Sequence, residues 1–256
     1  MLSQSTFKLI RALKNRKQRQ KNKLFVAEGP KLVNDLINKG CPLEHLYALP
    51  SFIALHQKKL DAKGVRYSTV SAKDLQRAAH LKTPNEVIAL CNIIDHDPSV
   101  DHLKARWSIA LDNVNDPGNL GTIVRLAHWL NIEYVFCSPE TVDIYNSKAI
   151  QATMGAVADV KVCYRPLELF LKEMTKHVPV YAANLKGQSI YETTFTNSGI
   201  LLMGSESHGI STSLNKFVNY EIMIPRMNDL SGPESLNVAT AAAIIGGELL
   251  RNGLLK

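Results

Sequence analysis

From Trp107 to the C-terminus, short runs of apolar residues alternate with longer segments of helical periodicity. WSIALDNV, YVFCS, VKVCY, PVYAAN, ILLMG and EIMIP read as strands. Asn119–Leu130, Ile144–Ala158, Leu167–His177, a short turn near Thr212–Phe217 and Ser235–Arg251 read as helices. Strands that are apolar along their whole length, instead of at every second position, are buried on both faces. With helices between them they predict a mainly parallel sheet covered on both sides. In sheets of that kind ligands bind beyond the carboxyl ends of the strands. Three strand–loop–helix joints put small and polar residues there: DNVNDPGNLGTIVRLA (112–127), MGSESHG (203–209) and IPRMNDLSGPESLN (224–237).

The front of the chain has the same alternation in a smaller unit. Residues 5–13 predict a short helix with Phe7, Ile10 and Leu13 on one side. Residues 14–23 contain no apolar side chain, so this stretch is expected to be exposed. LFVA predicts a strand, and Pro30 opens a helix with a stripe of Leu32, Val33, Leu36 and Ile37 that Gly40 ends. LEHLYAL, GVRYSTV and EVIALCNI read as further strands, with FIALHQKKL and AKDLQRAAH as helices between them. The polar stretch after Ile94, with Pro98 in it, breaks the pattern. The expected organisation is a small α/β domain over 1–94, a linker over 95–106 and a larger parallel-sheet α/β domain over 107–256.

The formal net charge is +7. Lys8, Arg11, Lys14, Arg16, Lys17, Arg19, Lys21 and Lys23 fall within the first 27 residues, which hold no acid. That leaves 22 of the 30 basic residues against all 23 acidic ones. The excess is therefore one N-terminal patch, an electrostatic footprint for the phosphates of a nucleic acid. No apolar run approaches the roughly 18 residues that span a bilayer, and no signal-peptide pattern is seen. The four cysteines are far apart, without CxxC or metal-ligand spacing. They read as reduced thiols in a cytoplasmic protein that carries no metal. Neither GxxxxGK[ST] nor GxGxxG occurs, which argues against a nucleotide cradle.

Each loop has its own chemistry. Asn119 is placed to cap the helix that follows it, and Arg125 sits among apolar neighbours, where a cation needs an anion. Gly204 and Gly209 can turn backbone N–H groups toward a ligand, with Glu206 between them. Ser235 and Asn237 bring a hydroxyl and an amide to the start of the last helix. His128 and His208 have no nucleophile beside them and read as structural.

Taken in order, NLGTIVR, GSESHG and IPR…ESLNVATA resemble the three motifs of the SpoU/TrmH class of RNA 2′-O-ribose methyltransferases. FKLIRALKNRKQR…LFVAEGPKLV resembles the substrate-binding domain of that family. The resemblance covers nearly the whole chain. It implies a deep trefoil knot near the C-terminus, S-adenosylmethionine as cofactor and a homodimer formed through the knotted domain. Matching the motifs places cofactor contacts at Gly204, Ile224 and Leu236, with Met203 and Asn184 as further candidates at strand ends. It places functional polar groups at Asn119, Arg125, Glu206, Ser235 and Asn237. The eight basic residues of the N-terminal arm would meet RNA, with ribosomal RNA preferred to transfer RNA because of the extra domain. Base methylation and a non-catalytic RNA-binding protein of the same fold are the competing readings. One departure stands out. Arg226 follows Pro225, and RMNDLSGP (226–233) is longer than the family's usual link.

Overall fold

The computed structural model describes residues 2–81, 86–227 and 235–255. Most of the 226–233 link therefore lies outside the described residues. The chain forms two compact units. One is Met1–Asp95 together with Asp143–Ala158, and the other is His96–Val142 together with Asp159–Lys256.

The first unit begins with two short helices, α1 (Gln4–Ala12) and α2 (Arg16–Asn22). Then come β1 (Leu24–Glu28), α3 (Pro30–Asn38), β2 (Leu43–Ala48), α4 (Pro50–Ala62), β3 (Tyr67–Thr69), α5 (Ala72–Ala78) and β4 (Val87–Asn92). The sheet order is β1-β4-β2-β3. It is mixed: β4 runs antiparallel to both neighbours, and only β2 and β3 are parallel. Alternation along the strands divides two cores, as a period of two requires. Phe25, Ala27, Val87, Ala89 and Cys91 face one cluster with α3 and α4. Leu24, Val26, Ile88 and Leu90 face another with Ile10, Leu13 and Leu75.

Two expectations change here. The segment 14–23 is not wholly exposed. It contains α2, and Arg19 is only 4% exposed. Its Nε donates to Asp143 Oδ2 at 2.8 Å, its Nη2 pairs with the same oxygen, and its Nη1 donates to the carbonyls of Leu13 and Lys14 at 2.9 Å each. Four hydrogen bonds explain how a guanidinium can be buried. The segment expected as helix over Ile144–Ala158 holds α8 (Ser147–Thr153) and a 3₁₀ turn at Ala156–Ala158. It packs with the first unit, where Ile150 joins the core and Gln151 Nε2 donates to Glu28 O at 2.7 Å.

The second unit holds the short helix α6 (Val100–Leu103), inside the stretch expected as linker, then β5 (Trp107–Leu111), α7 (Pro117–Trp129), β6 (Tyr134–Cys137), β7 (Lys161–Tyr164) and α9 (Leu167–Met174). β8 (Val180–Ser189), β9 (Gly199–Met203), a 3₁₀ turn at Thr212–Phe217, β10 (Tyr220–Met223) and α10 (Val238–Arg251) follow. All six strands are parallel, in the order β10-β8-β9-β5-β6-β7. Full burial explains the unbroken apolar runs of the central strands β5, β6 and β9, which have no exposed position, whereas β8 and β10 keep exposed residues. The expected α/β architecture, a small N-terminal sheet unit and a C-terminal parallel-sheet unit, is what the protein has. α10 packs on α7, and Gly246 lies against the Leu130 side chain, whose Cδ1 would have to move for a Cβ there. No helix among the described residues is long and apolar enough to cross a membrane.

Candidate active site at the carboxyl ends of the parallel strands

The three loops marked in the sequence follow β5, β9 and β10, and their described residues leave the sheet at its carboxyl edge. α7 begins with Asp116 as its cap, not Asn119. The Asp116 carboxylate accepts the Asn119 N–H at 2.8 Å, and Pro117 takes the first helical position. Asn119 is therefore inside the first turn, and its side chain is released from capping. It reaches across to the other two loops. Asn119 Nδ2 donates to Glu206 Oε1, and Asn237 Nδ2 donates to Asn119 Oδ1 at 2.9 Å.

The amide orientations are fixed by the last helix. Asn237 caps α10 through Oδ1, which accepts the N–H groups of Ala239 at 3.0 Å and Thr240 at 3.2 Å. Its Nδ2 must then face Asn119 Oδ1, and Asn119 Nδ2 must face the carboxylate. One residue from each loop thus enters a single chain, Glu206–Asn119–Asn237.

The Glu206 loop is a tight turn. Ser205 N donates to Gly209 O at 3.2 Å and Gly209 N to Ser205 O at 2.9 Å, while Ser205 Oγ accepts His208 N at 3.2 Å. The Gly209 N–H is consumed inside the turn, so it is not available to a ligand as the sequence suggested. Gly204 is a point of close approach, since a Cβ there would overlap the Gly209 carbonyl and the Ile210 nitrogen. Gly204→Ala is expected to cost about 1–3 kcal/mol by overpacking against backbone. The measurement is urea unfolding. An unchanged unfolding midpoint would contradict the close approach.

The other candidates are not part of this chain. Arg125 lies on the exposed side of α7 with Thr122 and Trp129. Six residues on from Asn119, it is displaced by roughly 9 Å along the helix and about 240° around it. Among the described residues it has no ion-pair partner, so the predicted intramolecular anion is not found. Ser235 is exposed, in a bend two residues before the α10 cap. Met203 is buried and its carbonyl accepts Asp112 N at 2.8 Å, leaving Gly204 as the first residue past the strand. Asn184 is exposed where the pairing of β8 with β10 slips, and its Oδ1 accepts Leu185 N at 3.1 Å. His128 pairs with Asp159 at 3.0 Å, and His208 Nδ1 is 2.9 Å from Ser207 Oγ.

Residues 106–246 match the model of the SpoU rRNA Methylase family, and residues 4–89 match the MRM3-like substrate binding domain. The chain belongs to the SpoU rRNA methylase family. The 23S rRNA (guanosine(2553)-2′-O)-methyltransferase RlmP of Bacillus subtilis is 27% identical over 240 residues, 91% of either chain. A protein from Porphyromonas gingivalis, described as an RNA methyltransferase of the TrmH family, superposes with TM-score 0.87 at 32% identity. That match covers 98% of this chain and 99% of the other. The AdoMet-bound rRNA methyltransferase from Sinorhizobium meliloti gives TM-score 0.85 at 27% identity, covering 98% and 97%.

This SpoU methylase is an RNA methyltransferase that uses S-adenosylmethionine. Its own residues fit that molecule. Past β9 and β10, Gly204, Ile224 and Pro225 are half-buried and Leu236 is 49% exposed, so backbone and apolar groups there are open to a ligand. Such a surface suits an adenosyl group held by packing and backbone hydrogen bonds. Among the described residues no group of three or more His, Cys, Asp or Glu could hold a metal ion.

In the N-terminal unit, Lys8, Arg11, Lys14, Lys17, Lys21 and Lys23 are exposed and Arg16 is half-buried. Arg11, Lys14 and Lys17 line one hollow of about 500 Å³ with Asn15 and Gln18. Lys23 pairs with Asp95 at 2.6 Å, and Arg11 donates to Arg77 O at 3.1 Å. Arg19 alone of the eight points inward.

Proposed function

We propose that the protein methylates a ribose 2′-hydroxyl, that its substrate is ribosomal RNA, and that it works as a homodimer in the cytoplasm. The observation that carries this reading is the Glu206–Asn119–Asn237 chain, which joins all three motif loops at the sheet edge where the cofactor fits. The names of its relatives support the ribose and the ribosomal substrate. The Bacillus subtilis protein is called a 23S rRNA 2′-O-methyltransferase, and it covers the same length.

The cofactor supplies an electrophilic methyl group on a sulfonium. The protein's part is to align the hydroxyl with it and to manage the acceptor's charge. Asn119, with its amide oxygen held by Asn237 and its amide nitrogen donating to Glu206, holds the Glu206 carboxylate in place. The second Glu206 oxygen receives the hydrogen bond of the 2′-hydroxyl and takes its proton as the ribose oxygen accepts the methyl group, and Ser235 orients the ribose. Arg125 grips the adjacent phosphate and stabilises the developing alkoxide. A guanidinium does not readily give up a proton, so it is not the base.

Arg125 reaches the site of a second copy. It stands on the outer face of α7 beside Trp129, which is 83% exposed, and α10 adds Leu250 at 50% with Ala243 and Gly247 exposed between. A face with a bare Trp and small residues suits helix–helix contact with its symmetry mate. The packing of α10 on α7 is compatible with the family's knot. Asn184, Met203, Gly204, Ile224 and Leu236 border the cofactor.

The basic arm holds the RNA through phosphates. Affinity for a large-subunit ribosomal RNA fragment should fall with salt at a log–log slope of about −0.7 to −0.9 per phosphate neutralised. Lys14→Ala and Lys17→Ala should each make the slope shallower by close to one such step. A salt-independent affinity would remove the arm from the interface. The overall reading is tested by mapping 2′-O-methyl sites in ribosomal RNA from cells with and without the protein. One site should disappear without it, and an unchanged map would refute the ribosomal assignment.

A further inference from the structure

Asp112 closes β5 and is 4% exposed, yet it makes no ion pair among the described residues. Its carboxylate is satisfied by neutral donors. Oδ2 accepts the Ser211 N–H at 2.7 Å, and Oδ1 accepts Asn113 Nδ2 at 3.2 Å. Its own N–H extends the pairing with β9 by donating to Met203 O at 2.8 Å. Asp112 therefore touches both ends of the Glu206 loop: Met203 just before Gly204, and Ser211 just after Ile210.

The residue next to it fastens the loop that leads into α7. Asn113 has φ +56°, a conformation asparagine tolerates. Its N–H donates to Ser138 Oγ at 3.1 Å, and its carbonyl accepts Asn115 Nδ2 at 3.0 Å. The Asp112–Asn113 pair thus ties the loop carrying Asn119 to the loop carrying Glu206, from beneath. A buried, uncompensated carboxylate is costly unless its hydrogen bonds are good, which implies a task that an apolar residue could not perform at that strand end.

We infer that Asp112 is a positioning residue for methyl transfer: through Ser211 N–H it sets the register of the 204–210 loop, and so the distance between Glu206 and Asn119. This rests on the active-site reading given under Proposed function. Misplacing a reacting group by about 1 Å costs on the order of a hundredfold in rate. Asp112→Asn keeps the size but can no longer accept from both donors.

The test uses purified full-length protein, tritiated S-adenosylmethionine and ribosomal RNA from cells lacking the protein. Hydrogen exchange of the protein alone gives a second readout that needs no turnover. Asp112→Asn should speed exchange at the Ser211 and Gly209 amides and lower kcat about ten- to hundredfold, with KM for RNA little changed. In a Glu206→Gln background the same substitution should add almost no further loss, because the loop it positions has already lost its carboxylate. Ser211→Pro removes the donor at a residue whose φ of −58° already suits proline, and should reproduce the effect if Asp112→Asn folds poorly. Unchanged kcat in Asp112→Asn, or an equal loss with and without Glu206, would overturn the role of Asp112. If Glu206→Gln itself turns over at the wild-type rate, the active-site reading fails instead.

Discussion

Arg125→Ala is expected to lower the rate of methyl transfer by about 10²–10³, the range seen when one preorganised charge-stabilising donor is removed. S-adenosylmethionine affinity should stay within a few-fold, because Arg125 stands on the exposed face of α7 and makes no contact with the Glu206–Asn119–Asn237 chain. The mixing experiment is sharper. If Arg125 serves the site of the second copy, co-refolding Arg125→Ala with Glu206→Ala restores part of the activity, since some dimers then hold one intact composite site. No recovery in the mixture would place the arginine in its own subunit's site, or outside catalysis.

The second large effect is on stability. Arg19 and Asp143 form a buried pair, with side chains 4% and 10% exposed. Arg19→Ala leaves an unpaired carboxylate indoors, and Asp143→Ala leaves an unpaired guanidinium. Either should cost about 3–5 kcal/mol, a large share of the roughly 5–15 kcal/mol that ordinarily holds a domain folded. Replacing both at once with Arg19→Met and Asp143→Leu should recover much of that loss. The measurement is urea unfolding of the four proteins. Single substitutions within about 0.5 kcal/mol of wild type, the usual span for surface changes, would mean that the pair does not anchor α2. The distinction also matters for RNA. Lys14 and Lys17 should alter affinity without altering stability, and Arg19 the reverse.

The sequence made the elements of the second unit legible because its central strands are apolar almost throughout and its loops carry Gly, Pro and Asn. The three joints could be seen as one site because a parallel sheet collects its loops at one edge. Several features were hidden for physical reasons. Arg19 looked solvent-facing because its partner is 124 positions away, and local composition carries no trace of so distant a contact. Asn119 looked like a cap, but Asp116 three residues earlier is one too, and whichever caps the helix frees the other for the site. The Ile144–Ala158 segment carries the same periodicity whether it packs with one core or the other. The mixed direction of the first sheet could not be read, because β1 and β4 are apolar in parallel and antiparallel sheets alike when both faces are covered. Asp112 does carry a signal in the sequence, a carboxylate at the end of an apolar strand, where only a specific hydrogen-bonding task keeps a charge.

The central claim is methyl transfer to a ribose oxygen. The most direct measurement incubates pure protein with labelled S-adenosylmethionine and ribosomal RNA from cells lacking it, digests the RNA to nucleosides and weighs the labelled product. A single nucleoside whose added methyl fragments with the ribose is expected; a methyl that stays with the base, or no labelled nucleoside at all, would contradict ribose methylation.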